Sequence, residues 1–369
     1  MKVTFPHMGN IYLPLKGLFD DFGIHTVIPP KCSKKTLELG MKYSPEFICL
    51  PFKLNLGNFL ESCEKGADTI ILPGGCGPCR LGYYAEVQKE ILKDLGINAD
   101  MVILEAPDAN FKEFYDKLSK IINTKNIFKL IKYFKEAITL LKKLNELEEF
   151  VLITRPYEIN KNDINNIYDQ LIFELENTMG SRKMIEHVDE ALSLMKNVPI
   201  DLSKEVLRVG VVGEIYTVLE DFTNLSIVEK LNDMGVEVHK SLSSGEWLIE
   251  NIFYRLVGKS KEFNVREAAK PYVSTFIGGH GRETIGNTVL YDRKGFDGVI
   301  HLMPFSCMPE IVALSILPKL QQEKNIPILS LTIDEMTGQA GYMTRIEAYI
   351  DLLKSRKEKA LNQKIPSFM

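Results

Sequence analysis

The sequence predicts an α/β protein built as two parallel-sheet domains facing a cleft, with a helical insert between them. Three observations carry that prediction. Short apolar runs alternate with amphipathic segments from residue 2 to about 107; over 111–202 the alternation stops and apolar residues recur at helical spacing; from 207 it resumes. A strand-helix-strand rhythm implies a parallel sheet covered on both faces, because each crossover helix must bury its apolar stripe.

In the first part, strands are expected at 3–5, 25–28, 47–50, 69–72 and 101–104, with helices at 56–65 and 82–95, the second stopped by Gly96. In the middle, Ile131, Phe134, Ile138 and Leu141 mark one helical stripe among lysines and glutamates. The break at Thr154, Arg155, Pro156, Tyr157 and Glu158 reads as a solvated helix-helix connection, with a functional loop as the rival reading. In the last part, strands are expected at 209–212, 237–239, 298–303 and 326–331, and a closing helix at 344–354. A chain of 369 residues has room for two or three domains of roughly 100 to 200 residues each. The boundaries this suggests are 1–110 for an N-terminal α/β domain, 111–205 for the helical insert and 206–369 for a C-terminal α/β domain.

Composition narrows the function classes. Charged residues at 25% and hydrophobic ones at 45% are those of an ordinary folded protein and exclude fibrous or disordered classes. A net charge of -4 gives no general attraction to phosphate backbones, so no nucleic-acid partner is expected. No apolar run approaches the roughly 18 to 20 residues that span a bilayer, and the first residues enter a strand pattern directly. The expectation is a cytoplasmic protein with no membrane association.

Six cysteines, Cys32, Cys49, Cys63, Cys76, Cys79 and Cys307, are too few for a disulfide scaffold in a chain of this length and point to metal or redox chemistry. In open parallel sheets, ligands bind beyond the carboxyl ends of the strands. Cys49 is expected at the end of the 47–50 strand, Cys76 and Cys79 in the loop after 69–72, and Cys307 in the loop after 298–303. Gly74, Gly75 and Gly77 would let the backbone approach a bulky inorganic core and aim N–H groups at it. Arg80 and Lys53 would offset the negative charge of a thiolate-ligated cluster. Cys32 precedes a helix near the same rim, and Cys63 sits on the stripe of Leu60 and Ala67, as a small buried hydrophobe would.

Several readings of these thiols stand side by side: an iron-sulfur cluster, a dithiol at Cys76-Gly77-Pro78-Cys79, a zinc site, or inert buried thiols. The first requires ligands from both α/β domains, Cys49, Cys76, Cys79 and Cys307. The tripeptide Gly258-Lys259-Ser260 lacks the upstream glycine of a P-loop, since Phe253 holds that position. Gly278, Gly279, His280, Gly281, Arg282 and Glu283 form a glycine-rich turn into a helix, readable as an anion site or as a capping turn. His7, Glu214, Glu310, Asp334 and Glu335 fall at strand ends as candidate proton donors, whereas His301 reads as a satisfied core histidine.

The stretch from Lys35 to Gly40, then Cys49-Leu50-Pro51-Phe52-Lys53, then Gly74 to Tyr84 around the cysteine pair, resembles the "CoA-substrate-specific enzyme activase" group related to 2-hydroxyacyl-CoA dehydratases. Residues 278–283, 301–310 and 344–348 extend the likeness. The resemblance implies two flavodoxin-like domains holding an iron-sulfur cluster, with benzoyl-CoA reductases and double-cubane cluster proteins as further relatives. It also implies low-potential electrons from a separate ATP-hydrolysing activator that carries its own cluster, a small-molecule or acyl-CoA substrate, and a homodimer. Four well-placed cysteines fit one fully ligated 4Fe-4S cluster; a double-cubane 8Fe-9S cluster would need Cys32 and Cys63 as well. The competing functions are a cluster carrier or storage protein, and a dithiol-disulfide oxidoreductase without iron.

Overall fold

The computed structural model describes residues 1–74, 79, 81–104, 118–119, 121–122, 124, 126–243, 245 and 263–364. The chain divides into two compact units: Met1–Val151 with Glu158–Ile200 and Leu242–Lys261, and Leu152–Tyr157 with Asp201–Ser241 and Glu262–Met369.

The first unit runs β1 (Lys2–Thr4), α1 (Tyr12–Asp21), β2 (His25–Thr26), α2 (Lys34–Tyr43), α3 (Leu50–Glu64), β3 (Thr69–Pro73), α4 (Leu81–Asp94) and β4 (Asp100–Leu104), then α5 (Ile127–Thr154, its last three residues belonging to the second unit), α6 (Asp163–Asn177) and α7 (Ser181–Lys196). Its four strands are parallel in the order β2-β1-β3-β4, with Val3 opposite both Thr26 and Thr69 and Ile70 opposite Met101. That is the flavodoxin-like order. Alternation along β3 explains how both faces are covered. Ile71 joins a core with Val3, Leu13, Leu144 and Val188, whereas Ile70 and Leu72 join one with Phe52, Leu56, Phe59 and Leu92. Successive strand residues point to opposite faces, so helices must close both.

Residues 47–50 are not a strand, which corrects the sequence expectation. Phe47 is exposed, the chain turns there, and α3 already begins at Leu50 with Pro51 in its first turn. Proline presets a helical φ and its missing N–H costs nothing at that position, so the apolar residues from Leu50 onward start a helix instead. α3 packs against α2 through glycines: a Cβ on Gly57 would stand 1.9 Å from the Thr36 carbonyl oxygen, and one on Gly40 would stand 1.8 Å from that of Lys53.

The second unit runs β5 (Leu207–Gly213), α8 (Ile215–Leu219), α9 (Asp221–Asn224), α10 (Ile227–Asp233), β6 (Val236–Lys240), α11 (Phe263–Ala269), α12 (Gly281–Arg293), β7 (Gly298–Pro304), α13 (Met308–Lys324), β8 (Ile328–Ile333) and α14 (Gln339–Lys364). Its strands are parallel in the order β6-β5-β7-β8, the same order as in the first unit. Val212 and Val299 pack with Ile285, Val289, Ala313 and Leu317 on one face, and the intervening Val211, Ile300 and Leu302, all fully buried, face the other way.

The break after α5 is a single 3-10 turn at Arg155–Tyr157, and it is buried rather than solvated. Arg155 pairs with Asp233 at 2.7 Å, and the Tyr157 hydroxyl donates to Glu237 at 2.8 Å. The apolar surroundings and the Glu237 carboxylate push the Tyr157 hydroxyl up to about 12. Among the described residues no helix is long and apolar enough to cross a membrane.

Candidate metal centre

In a sheet of this order the loops after the first and third strands diverge, leaving a crevice at their carboxyl ends. In the first unit, His7 follows β1 and Cys79 follows β3. His7 is buried, stacks on Tyr12 at 5.2 Å between ring centroids, and its backbone N–H donates to Asn58 Oδ1 at 3.3 Å. The same oxygen lies 3.6 Å from Cys32 Sγ, and Asn58 Nδ2 donates to the Pro30 carbonyl. The donor atoms of His7 and Cys32 lie within 4.8 Å of each other. A buried asparagine inside the apolar run Leu56-Gly57-Asn58-Phe59-Leu60 was the sequence signal for this arrangement, and sequence reasoning passed over it.

Cys49 is the N-cap of α3 and is only half-buried. Its thiol makes no side-chain capping bond, and it touches the hydroxyl of Tyr84 in the first turn of α4. Cys79 lies two residues before α4 and is also half-buried. Cys49 therefore borders the helix whose start carries Cys79. Tyr84 is held by Phe52, edge to face at 5.0 Å, so the contact rests on packed aromatic rings. Lys53 belongs to the same first turn of α3, is 3% exposed and donates to the Glu46 carbonyl at 3.1 Å, which places a buried positive charge one turn from Cys49. Cys76, Gly75, Gly77 and Arg80 lie outside the described residues. Cys63 packs half-buried beside Phe59 and Leu60, and burial pushes its thiol up, which disfavours the thiolate a metal needs.

In the second unit, Glu214 follows β5 and Cys307 follows β7. Glu214 caps α8, its carboxylate accepting from the N–H groups of Tyr216 and Thr217 at 3.1 and 2.9 Å. Packed surroundings push its carboxyl above the usual range; these two N–H groups and the Thr217 hydroxyl oppose that, and the charge of Glu310 adds to it. Cys307 is the N-cap of α13, again with no side-chain capping bond, and Pro309 sits in the first turn. The preceding Ser306 takes a left-handed φ of 64°. His301 is fully buried, with its ring nitrogens 3.2 Å from Ser330 Oγ and 3.0 Å from Glu310 Oε2, the satisfied core histidine the sequence suggested.

These thiols fit a soft metal group. Cys49 and Cys307 are N-caps, and Cys79 lies beside a third helix start. The positive end of a helix stabilises a thiolate, the form that binds iron or zinc.

Over residues 16–353 the sequence matches the family model of the 2-hydroxyglutaryl-CoA dehydratase D-component. The chain belongs to that family. The dehydratase-component match runs through both α/β units and takes in positions 49, 76, 79 and 307. No curated protein matches the sequence significantly.

Proposed function

We propose that this dehydratase-family chain binds a 4Fe-4S-type cluster through Cys49, Cys76, Cys79 and Cys307, for low-potential one-electron transfer or reductive chemistry driven by a separate ATP-hydrolysing activator. The observation that carries this reading is the placement of Cys49 and Cys307 at the N-caps of α3 and α13, with Cys79 two residues before α4. When bound, such a cluster supplies single electrons at low potential. The chain's own part is to place the thiols at helix starts, where the positive helix end favours a thiolate, and to set Lys53 near one of them. Arg80, Gly75 and Gly77 complete the cofactor-binding set in this reading.

The test is iron and acid-labile sulfide content, with electron paramagnetic resonance before and after dithionite, on protein purified without oxygen. About four irons per chain supports one cluster, and about eight indicates a double cubane. Cys307→Ala should lower bound iron, and unchanged iron would exclude Cys307 as a ligand. No iron after anaerobic reconstitution would overturn the cluster and leave the dithiol at Cys76 and Cys79 as the better reading.

A further inference from the structure

Glu310 lies three residues after Cys307, in the first turn of α13, and is 1% exposed. A carboxylate this deep is costly unless it is bonded on every side. One oxygen, Oε2, meets His301 Nε2 of β7 at 3.0 Å and accepts from the Thr284 hydroxyl of α12 at 3.0 Å. The other, Oε1, has no hydrogen-bond partner among the described residues. His301 is in turn bonded to Ser330 of β8. The carboxylate therefore ties the start of α13 to β7 and α12 directly, and to β8 through His301.

The glycine-rich turn before α12 belongs to the same construction. A Cβ on Gly281 would stand 2.3 Å from the Pro309 carbonyl oxygen, and one on Gly279 would stand 2.9 Å from the Pro309 ring. Glycine at 279 and 281 is what lets this turn close on the first turn of α13. On the other side of Cys307, the Phe305 N–H donates to the Ile333 carbonyl at 2.8 Å, and Ser306 holds its left-handed conformation between the two anchors.

We propose that Glu310, with His301 and Thr284 bonded to it and Gly281 packed beneath Pro309, positions Cys307, fixing its thiol in one direction as a preorganised metal ligand. The proposal rests on the cluster reading above for what Cys307 holds. Partners behind a metal ligand restrict its orientation and commonly change metal affinity about 10- to 100-fold when removed.

The experiment compares Glu310→Leu, Glu310→Gln, Thr284→Val and Gly281→Ala with the unaltered full-length protein and with Tyr349→Phe, which loosens the same unit away from the loop. Three quantities are read: the rate of iron loss to a chelator, the line shape of the reduced paramagnetic signal, and the alkylation rate of Cys307 in iron-free protein. Glu310→Leu and Thr284→Val should lose iron about tenfold faster and broaden the signal. Glu310→Gln, which keeps an acceptor oxygen, should stay near the unaltered protein, as should Tyr349→Phe. Unchanged iron loss and line shape in both Glu310→Leu and Thr284→Val would overturn the proposal. If Glu310→Leu does not fold, Thr284→Val and Gly281→Ala decide by the same readouts. If the unaltered protein holds no iron, the cluster reading fails by itself, and the alkylation of Cys307 still decides: a changed rate in Thr284→Val supports positioning, and equal rates overturn it.

Discussion

Gly57→Ala probes whether the helix carrying Cys49 is set by direct backbone contact. The added Cβ would lie 1.9 Å from the Thr36 carbonyl oxygen and 2.8 Å from its carbon. Non-bonded heavy atoms settle near roughly 3.5 Å, so about 1.6 Å must be found by moving α2 away from α3. Neither side can yield by a rotamer change, since the obstacle is main chain. Overpacking in a core costs typically 1 to 3 kcal/mol, and a backbone obstacle puts this site near the top of that range, about 3 kcal/mol. A domain of this size loses roughly 2 to 4 °C in Tm per kcal/mol, giving about 6 to 12 °C. The assay is thermal unfolding of the full-length chain, with Gly341→Ala as the control. Gly341 lies inside α14 with nothing within 4 Å of an added Cβ, so alanine there should hold or raise Tm through helix propensity. Equal melting of Gly57→Ala and the unaltered protein would refute the close crossing, and with it the argument that Gly40 and Gly57 set the position of Cys49.

Tyr157→Phe should destabilise the second unit by about 1.5 to 3 kcal/mol in denaturant unfolding, because it removes the hydroxyl that donates to Oε2 of a largely buried carboxylate, Glu237, whose Oε1 is the one bonded by Arg208 and His239. The Tyr157 hydroxyl is raised to about 12 in the folded state, so its contribution is full below pH 10, the ordinary tyrosine value, and is lost as pH climbs toward 12; alkaline unfolding curves of Tyr157→Phe should lack that component. Glu237 has the opposite sign. Burial alone would raise it, but bonds from His239 and Tyr157 and the charges of His239 and Arg208 leave its carboxyl below the usual range. Its contribution is therefore present above the ordinary carboxylate range and lost as pH falls through the folded value, so Glu237→Gln should flatten the acid limb of the stability curve. Tyr349→Phe removes a hydroxyl bonded at 2.8 to 3.0 Å to Val299 and Pro327 and should cost about 1 to 3 kcal/mol by the same assay.

The first chain segment shows how far pattern reading reaches. Apolar pairs at β1, β3, β5 and β7 are legible because a buried strand must carry aliphatic side chains on both faces, whatever surrounds it. The run at 47–50 has the same composition and is no strand. Its fate depended on Pro51 and on the thirteen residues that carry α3 on to Glu64, a competition that a four-residue window does not reveal. For the candidate site, the sequence marked Cys49, Cys79 and Cys307 by their nearness to expected strand ends. For Cys49 the element was wrong, although a helix N-cap offers the thiol a comparable electrostatic setting.

By itself the sequence determined the α/β class, the parallel rhythm of both units, the cysteine spacing and the resemblance to the dehydratase family, because these follow from local periodicity and from motifs contiguous along the chain. Only the tertiary structure decided that Tyr84 meets Cys49, that Asn58 serves both His7 and Cys32, and that Glu310 is bound by His301 and Thr284. Those partners are separated by up to 51 residues, and no local propensity encodes them. They arise when strand order and helix crossings bring distant segments to one sheet edge, where each buried polar group must find the partner that packing leaves within reach.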